Sequence, residues 1–393
     1  MKDLTWRHTT LGEVITLQRG VDLPQCRRVA GSTPVVGANG VVGHHNEAVA
    51  AGPGVLVGRS GSAGKVTWIP TDYWPLNTAL WVKDFQGNDP HFIFYFLTHL
   101  RLERFAQGVS VPTLNRNLVH PCEVWVPTQL EQRTIAGVLR AVQDAREARR
   151  RELDVERERC SSLAEQLVTQ GTRGEPCRPT NIGLIPERWE VRRLGDIAQV
   201  SYGLTVNQSR RQSQNLAPYL TVANVTRGHL RLAAVKEIGI SNGDAERFRL
   251  LKGDVLLVEG NGNPRLLGSA AVWNDELPFA LHQNHLIRAR LNQSVATPTW
   301  VMALINSDVG RTQLLGTSKT SSGLHTINSR IVSNLQVPVP PLDEQREIVD
   351  VLTACDVKIA ALESEASLLD ELFRALLDEL MTGRLSALPL LDT

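Results

Sequence analysis

The most regular pattern of apolar and polar positions lies near the C-terminal end of the chain. From Ile348 to Leu380, apolar residues recur in steps of three and four without a break, and this spacing is typical of a coiled-coil helix. Pro340 and Pro341 precede the pattern and Gly383 follows it, as expected at helix boundaries. The seam includes Leu352, Ile359, Leu362, Leu369 and Leu376. The pattern predicts a helix roughly 60 Å long at about 1.5 Å per residue.

A similar but less regular seam occupies the middle of the chain. It includes Leu139, Leu153 and Leu163, and the basic stretch "REARRR" (146–151) interrupts it. A long helix with one apolar side needs a partner to cover that side. Antiparallel pairing of the two helices is the economical solution, and two independent surface helices are the alternative.

The remaining segments indicate short strands and a few short helices. Runs rich in Val, Leu and Ile are bounded by Gly, Pro and Asn, which is typical of strands joined by turns. The strand candidates are "GVLVG" (54–58), "KVTWIP" (65–70), "TALWV" (78–82), "GDVLLVEG" (253–260) and "NHLIRARL" (284–291). Helical stretches at 90–100 and 297–307 occupy corresponding places. The predicted fold class is α+β, with two mixed α/β domains separated by two long antiparallel coiled-coil helices.

The chain also contains an internal repeat. "WRHTTLGEVITLQRG" (6–20) aligns with "WEVRRLGDIAQVSYG" (189–203) at an offset of 183, whereas "TLNRNLV" (113–119) aligns with "TINSRIV" (326–332) at an offset of 213. The second half therefore holds 30 extra residues. The repeat predicts a pseudo-twofold plan. Its parts are a first domain (1–125), a central helix (126–172), a linker (173–186), a second domain (187–338), a C-terminal helix (339–385) and a tail (386–393).

Charge is unevenly distributed, although the formal net charge is only +1. Residues 128–170 carry 8 basic and 8 acidic side chains and residues 341–384 carry 4 and 11, which leaves 30 basic and 22 acidic elsewhere. Only seven of the 42 basic residues are lysine, and the planar guanidinium of arginine suits phosphate groups and guanine edges. A basic, arginine-rich globular part indicates a polyanionic partner.

The stretch "VGRSGSAGKV" (57–66) departs from the phosphate-binding P-loop that it suggests at first sight. Gly58 and Gly64 are separated by five residues, and Lys65 is followed by Val66, which has no oxygen to offer a metal ion. The sequence also has no Asn-Pro-Pro-aromatic methyltransferase motif and no glycine-rich adenosylmethionine motif. We therefore expect no catalytic residue and no cofactor.

The sequence encodes no recognisable metal site or membrane span. Five cysteines lack a C-x-x-C pair, and neither His44-His45 nor the pair His282 and His285 has a third ligand nearby. No apolar run approaches the roughly 18 residues of a membrane span, and the N-terminus lacks a signal-peptide pattern. A cytoplasmic location is expected.

Several of these motifs resemble the specificity subunit of Type I restriction-modification systems, over essentially the whole chain. Each long helix begins with a Pro-x-x-x-Glu-Gln-Arg-x-Ile stretch, "PTQLEQRTI" (127–135) and "PPLDEQREI" (340–348). "GRSGSAGKV" (58–66) resembles a segment that follows a "GDVLL"-like strand in recognition domains, and "EGNGNPRLLGSAAV" (259–272) stands in its place in the second half. The tail "LMTGRL" (380–385) is also similar to the family.

The resemblance implies a non-catalytic DNA-binding subunit with two target-recognition domains. Its partners would be double-stranded DNA, two modification (methyltransferase) subunits and, in some systems, two restriction (translocase/endonuclease) subunits. The duplicated helix entries would dock these partners through Glu131, Gln132, Arg133, Glu344, Gln345 and Arg346. Because the two predicted readers differ in sequence, the DNA target should be split and non-palindromic.

Candidate DNA contacts follow from residue chemistry in the matching segments and in two polar stretches further along the second domain. In the first domain, Arg59, Ser60, Ser62 and Lys65 lie among glycines that let the backbone approach a phosphate. In the second domain the candidates are Asn261, Asn263, Arg265, His282, Gln283, Asn284 and Lys319. The alternatives are a flexible hairpin for the first set and turn capping or a solvated loop for the second.

Two other function classes stay open at this point. One is a coiled-coil scaffold that binds only protein, suggested by the acidic second helix. The other is an ATP- or adenosylmethionine-dependent enzyme, which the broken P-loop and the missing cofactor motifs disfavour.

Overall fold

The computed structural model describes residues 6–108, 111–261, 267–317, 319–321, 324–387 and 389. The chain divides into two compact units, Met1–Glu152 with Leu362–Thr393 and Leu153–Ala361. Among the described residues, no helix is long and apolar enough to cross a membrane.

The first unit combines short antiparallel strands with helices. Its strands are β1 (Arg7–Thr10), β2 (Thr16–Arg19), β3 (Thr33–Gly37), β4 (Gly40–His45), β5 (Gly54–Gly58), β6 (Val66–Ile69), β7 (Trp74–Pro75), β8 (Ala79–Asp84), β9 (Ala106–Gln107), β10 (Thr113–Leu114) and β11 (Glu123–Val126). Its short helices are α1 (Leu11–Val14), α2 (Pro90–Leu100) and α3 (Arg116–Val119), and the long helix α4 (Gln129–Gln170) begins here. Two 3-10 turns lie at Gln25–Arg27 and Leu102–Phe105.

The main sheet of the first unit has the strand order β2-β8-β5-β6. Every residue of β5 is buried, as expected of a strand covered on both faces. A second sheet, β4-β3-β7, contains one parallel pair, β3 with β7. Helix α2 packs beside β5 and β6, and it starts where Asp89 accepts a hydrogen bond from the Phe92 N–H and Pro90 sets the first turn.

The second unit has the following strands and helices. Its strands are β12 (Cys177–Thr180), β13 (Gly183–Pro186), β14 (Glu190–Arg193), β15 (Ala198–Tyr202), β16 (Leu216–Leu220), β17 (Lys236–Gly239), β18 (Asp254–Val258), β19 (Gly260–Asn261), β20 (Ala270–Val272), β21 (Leu281–His282), β22 (Leu286–Leu291), β23 (Lys319–Ser321), β24 (Leu324–Thr326) and β25 (Gln336–Val339). Its helices are α5 (Leu194–Ile197), α6 (Gln208–Arg211), α7 (Asp244–Phe248), α8 (Pro298–Asn306), α9 (Asp308–Thr317) and α10 (Ser329–Ser333), with a 3-10 turn at Val222–Asn224. The second long helix, α11 (Leu342–Met381), starts in this unit.

The main sheet of the second unit has the order β15-β22-β18-β20, and a second sheet, β17-β16-β21, again contains one parallel pair. Each strand in these two sheets has a counterpart in the first unit at the same place in the order. The segment predicted as a linker contains the hairpin β12–β13, whose Ile185 is buried.

The two long helices lie antiparallel within each unit. In the first unit, Arg146 pairs with Asp370 and Arg149 with Glu365 (2.7 and 2.9 Å). In the second unit, Lys358 pairs with Glu156 at 3.0 Å, and the hydroxyl of Thr172 donates to Glu347 at 2.9 Å. In both units, the residue number on α11 falls as the number on α4 rises.

The basic gap "REARRR" does not interrupt helix α4. Arg146 and Arg150 both pair with Asp370 of α11, and the Arg146 guanidinium also lies over the Phe373 ring, 4.4 Å from its centroid. Ion pairs and a cation–π contact thus replace the apolar seam over this turn.

The helix seam residues are buried or half-buried, and several of them join the cores of their units. Leu139, Leu153 and Leu362 are buried. Those that are half-buried are Leu163, Leu352, Ile359, Leu369 and Leu376. Leu139 packs in the core of the first unit beside Phe92 and Leu380, while Leu163 and Leu352 pack against the core of the second.

Candidate nucleic-acid interface

The loop between β5 and β6 is a tight, closed turn. The Gly58 N–H donates to the Lys65 carbonyl at 2.8 Å, and the Gly58 carbonyl accepts from the Gly64 N–H at 2.9 Å. A Cβ on Gly58 would lie 2.0 Å from the Ser62 carbonyl oxygen, and Gly64 has φ +88°, so both positions require glycine. The loop leads into strand β6, whereas a P-loop leads into a helix. The phosphate-cradle interpretation is therefore excluded by geometry as well as by spacing.

Side chains of this loop contact two neighbouring turns. Lys65 Nζ donates to the Asn39 carbonyl at 2.8 Å, and Ser62 Oγ donates to Asn39 Oδ1 at 2.7 Å. Arg59 Nη1 donates to the Asn77 carbonyl at 3.2 Å. The loop, the β3–β4 turn and the turn before β8 therefore form one polar surface. Lys65 is exposed, and Arg59, Ser60 and Ser62 are half-buried.

This surface is held to the segment that precedes α3. Ser60 forms an isolated β-bridge with Thr113, and the Leu114 N–H donates to the Arg59 carbonyl at 2.7 Å. The first four candidate DNA contacts thus lie together on a framework fixed by backbone hydrogen bonds.

The candidates in the second unit are less uniformly placed. Gln283 and Asn284 are half-buried, and the Asn284 N–H donates to the Leu204 carbonyl at 2.9 Å. Asn261 lies in β19 and Lys319 in β23. Asn263 and Arg265 lie outside the described residues.

The prediction that His282 contacts DNA is corrected by its burial. Its side chain is fully buried, and its Nδ1 lies 3.0 Å from the Phe248 carbonyl oxygen. Burial and the nearby Arg288 lower the pKa of His282 to about 4. The imidazole is therefore neutral at pH 7 and belongs to the core of this unit.

The neighbouring histidine, His285, has a different role. Its Nδ1 lies 2.7 Å from Glu259 Oε2, and its side chain is 57% exposed. Glu259 follows the buried strand β18. The sequence patterns singled out neither residue of this pair as a DNA contact. The signal that could have identified Glu259 is its place directly after the apolar run "DVLLV" (254–258), as Arg59 directly follows "GVLVG" (54–58).

In the other histidine pair, His44 is exposed and His45 is buried. The N–H of Val29 donates to His45 Nδ1 at 3.0 Å, and the His45 ring packs edge-on against Trp74. Within the described ranges, no group of three or more His, Cys, Asp or Glu side chains could hold a metal ion.

Each Glu-Gln-Arg entry stabilises the junction between a helix and its domain. Gln132 Oε1 accepts from the Asp89 N–H at 3.0 Å, and its Nε2 donates to Asn88 Oδ1 and the Pro127 carbonyl. Gln345 accepts from the Thr297 N–H at 2.8 Å, and it donates to the Val295 and Pro340 carbonyls. Asp89 and Thr297 are the N-caps of α2 and α8, so the two glutamines hold equivalent helix starts.

The burial of these motifs corrects the prediction that all six of their residues dock partners. Glu131, Gln132, Glu344 and Gln345 are each at most 2% exposed, which removes them from any docking surface. Glu344 instead accepts from Trp189 Nε1 at 3.1 Å. Arg133 and Arg346 are exposed.

The long helices also carry exposed apolar side chains. On α11 these include Leu368 (61% exposed) and Leu372 (46% exposed), both in the first unit. Val155, Val351 and Val357 are exposed on the same helices in the second unit. Leu368 and Leu372 are one helical turn apart on the same face, and contiguous exposed apolar surface is a feature of protein-binding sites.

Comparison with known proteins gives a consistent result. The family model for the Type I restriction modification DNA specificity domain matches residues 4–156 and 186–370. A Methanocaldococcus jannaschii protein named for the type I restriction enzyme MjaX specificity subunit is 27% identical over 218 residues, which are 55% of this chain and 51% of that protein. The type I restriction enzyme EcoKI specificity subunit of Escherichia coli is 30% identical over 137 residues, 34% of this chain and 28% of that protein. The matches thus span about half of the first relative and about a quarter of the second.

A solved structure is similar over nearly the full length. The S subunit of a Type-I restriction-modification system from M. genitalium aligns with a TM-score of 0.61 at 14% identity, over 96% of both chains. At this level of identity the similarity concerns the fold. It agrees with the mixed α/β architecture and the long helices described above.

Proposed function

Because the chain belongs to the Type I restriction modification DNA specificity family, we propose that it reads a split DNA sequence and holds the subunits that modify and cleave DNA. One observation carries this proposal. The main sheets of the two units have matching strand order, and a buried glutamine fixes each of the corresponding domains to the start of a long helix. Two readers joined to paired helices suit recognition of two separated half-sites.

The proposed organisation follows the sequence repeat. Residues 1–125 and 187–338 are the two target-recognition domains, 126–172 and 339–385 form an antiparallel coiled coil, 173–186 is the connection and 386–393 the tail. The equivalent placement of Gln132 and Gln345 supports a pseudo-twofold repeat, since each accepts from the N-cap N–H of the matching helix.

The DNA-facing residues in this proposal are the candidates identified from the sequence, with one exception. In the first domain they are Arg59, Ser60, Ser62 and Lys65. In the second they are Asn261, Asn263, Arg265, Gln283, Asn284 and Lys319, and the burial of His282 removes it from the set. Lys65 supplies positive charge toward the DNA backbone, where a single ammonium can pair with a phosphate.

Catalysis and nucleotide use would belong to the partners. We propose two modification subunits and, where the system has them, two restriction subunits, with the exposed apolar side chains of α4 and α11 as the docking surface. Arg133 and Arg346 are the residues of the helix entries that remain accessible to a partner.

A salt titration of DNA binding tests the DNA-reading part of this proposal. Lys65→Ala should lower affinity about equally on all sequences and reduce the slope of log K against log salt by about 1. Lys83→Ala is the matched control. Lys83 is exposed near one end of β8, whereas Ala79 at the other end pairs with Gly58 beside the loop. A protein-binding scaffold would show no salt-dependent DNA binding at all.

Methylation assays test the division of labour. The purified chain alone should neither hydrolyse ATP nor transfer methyl groups, while the complex with modification subunits should methylate a defined DNA site. Turnover by the isolated chain would reject the non-catalytic assignment.

A further inference from the structure

The residue that follows the central buried strand carries opposite charge in the two units. In the first unit, the Arg59 N–H donates to the Thr78 carbonyl at 2.9 Å, and the Arg59 carbonyl accepts from the Leu114 N–H at 2.7 Å. In the second unit, the Glu259 N–H donates to the His285 carbonyl at 3.0 Å, and the Glu259 carbonyl accepts from the Ile327 N–H at 2.8 Å. Both residues therefore occupy the same backbone position.

The strand pairing beside them supports this equivalence. Gly58, just before Arg59, pairs with Ala79 of β8, and Val258, just before Glu259, pairs with Leu286 of β22. In both cases the strand is third in a four-stranded sheet. The framework is the same, so the difference between the two positions lies in their side chains.

Both side chains are available at the surface. Arg59 uses one guanidinium nitrogen for the Asn77 carbonyl, and the remaining N–H groups of an arginine allow a second, bidentate contact. Glu259 is 23% exposed, and the half-exposed His285 holds one of its carboxylate oxygens at 2.7 Å. Even a fully charged surface pair stabilises a fold by only about 0–1 kcal/mol, so folding gives little reason for this carboxylate.

A carboxylate on a DNA-binding surface must avoid the phosphates, which repel it. It can instead accept a hydrogen bond from an exocyclic amine at a base edge. If this backbone position faces base edges in the second unit, the equivalent position in the first unit faces them as well.

Building on the proposed DNA-reading function, we propose that Arg59 and Glu259 are base-reading residues of opposite hydrogen-bonding sense. Arg59, which only donates, selects guanine through its O6 and N7 acceptors, and Glu259, which only accepts, selects cytosine through its N4 amine. His285 is a positioning residue that orients the Glu259 carboxylate. Each half-site would therefore contain a specified G·C pair, which is read at its guanine in one half-site and at its cytosine in the other.

The test uses the chain assembled with its modification subunits and a randomised DNA library, with the methylated sites sequenced. Glu259→Gln should lower discrimination at one C·G pair of a single half-site by about tenfold and shift the preference toward adenine, because glutamine pairs with adenine N6 and N7. Arg59→Gln should lower discrimination to a similar extent at one G·C pair of the other half-site and shift the preference there toward adenine. Preferences at all other positions should stay unchanged.

Matched substitutions control for loss of charge and loss of an arginine or glutamate side chain. Glu187→Gln and Arg7→Gln alter exposed residues next to the helix junctions, and both should leave the methylated site unchanged. His285→Ala should weaken cytosine discrimination less than Glu259→Gln does, and Glu259 should remain able to select cytosine. Because the two reading residues lie in separate units, a folding defect in one variant leaves the other variant as a full test.

Three other outcomes would each reject either this inference or the proposed function. Unchanged base preference in both Glu259→Gln and Arg59→Gln, on an otherwise specific complex, rejects the inference and leaves the proposed function intact. A uniform loss of affinity with a smaller salt slope and unchanged preference would make these residues phosphate contacts, which also rejects it. A wild-type complex with no sequence preference rejects the proposed function itself.

Discussion

The side chain of Gln345 accepts a hydrogen bond from the backbone N–H of Thr297 at 2.8 Å and joins the start of α11 to the N-cap of α8. Its amide nitrogen also satisfies the carbonyls of Val295 and Pro340. The side chain is fully buried, so water cannot replace these three hydrogen bonds when it is removed.

Gln345→Ala should therefore lower the free energy of unfolding of the second unit by about 2 kcal/mol, the range for leaving buried backbone groups unsatisfied. Gln199→Ala, at an exposed strand position, should change it by less than about 0.5 kcal/mol. Urea unfolding combined with amide hydrogen exchange at Thr297 measures the difference. Equal stability of the two variants would show that the junction does not depend on this side chain.

The strand and helix patterns of the sequence predicted much of the fold. The predicted helix at 90–100 coincides with α2, and the predicted strand at 54–58 coincides with β5. Both elements are set by local signals: Asp89 and Pro90 start the helix, and the strand is a short apolar run between glycines.

The rest of the fold could not be predicted from local patterns, because it depends on contacts between residues far apart in the sequence. The basic gap at 146–151 suggested that the first helix is the weaker one. Its stabilising partner could not be seen in the sequence, because Arg146 and Arg150 pair with Asp370, more than 200 positions away. The duplicated helix entries suggested docking roles for Gln132 and Gln345, and residue chemistry suggested a DNA contact for His282, whereas tertiary packing buries all three. The charge reversal between Arg59 and Glu259 becomes meaningful only when their backbone hydrogen bonds show that the positions correspond.

The helix pairing predicts unequal effects of two neighbouring substitutions on α11. Leu362 is 5% exposed and Leu368 is 61% exposed. Leu362→Glu should destabilise the isolated chain by about 3 kcal/mol or more, because it removes a buried side chain and buries an unpaired charge. Leu368→Glu should leave the thermal midpoint nearly unchanged. Similar midpoints for both variants in a thermal scan would contradict the antiparallel pairing.

The ion pair between Glu156 and Lys358 predicts a specific pH dependence of stability. Hydrogen bonds from Arg159 and Lys358 lower the pKa of Glu156 from 4.5 to about 2. A carboxyl whose folded-state pKa is lowered stabilises the fold above its unfolded pKa, and this contribution is lost as the pH falls through the folded value. The stability advantage of wild type over Glu156→Gln should be complete above about pH 5 and should shrink between pH 4.5 and 2.

Urea unfolding at a series of pH values checks this expectation. Taking the difference between wild type and Glu156→Gln removes the effect of other titrating groups. Glu158→Gln, at an exposed position on the same helix, is the control and should show no such pH-dependent difference. An advantage that stays constant down to pH 2 would mean that Glu156 does not pair in this way.

The strand pairing at the base of each domain predicts how recognition can be exchanged. Glu190 at the start of β14 pairs with Val339 at the end of β25, and Arg7 pairs with Val126 in the first domain. Paired strands lie about 4.8 Å apart, so each domain begins and ends at one narrow ribbon.

Replacing residues 190–339 with the corresponding domain of another specificity subunit should therefore leave the two long helices and the first domain undisturbed. After assembly with modification subunits, sequencing of methylated DNA should show a new second half-site and an unchanged first half-site, and exchanging residues 7–126 should give the reciprocal result. Because α4 and α11 are retained in both exchanges, the number of unread base pairs between the half-sites should also stay the same. A change in both half-sites after a single exchange would show that the domains do not read DNA independently.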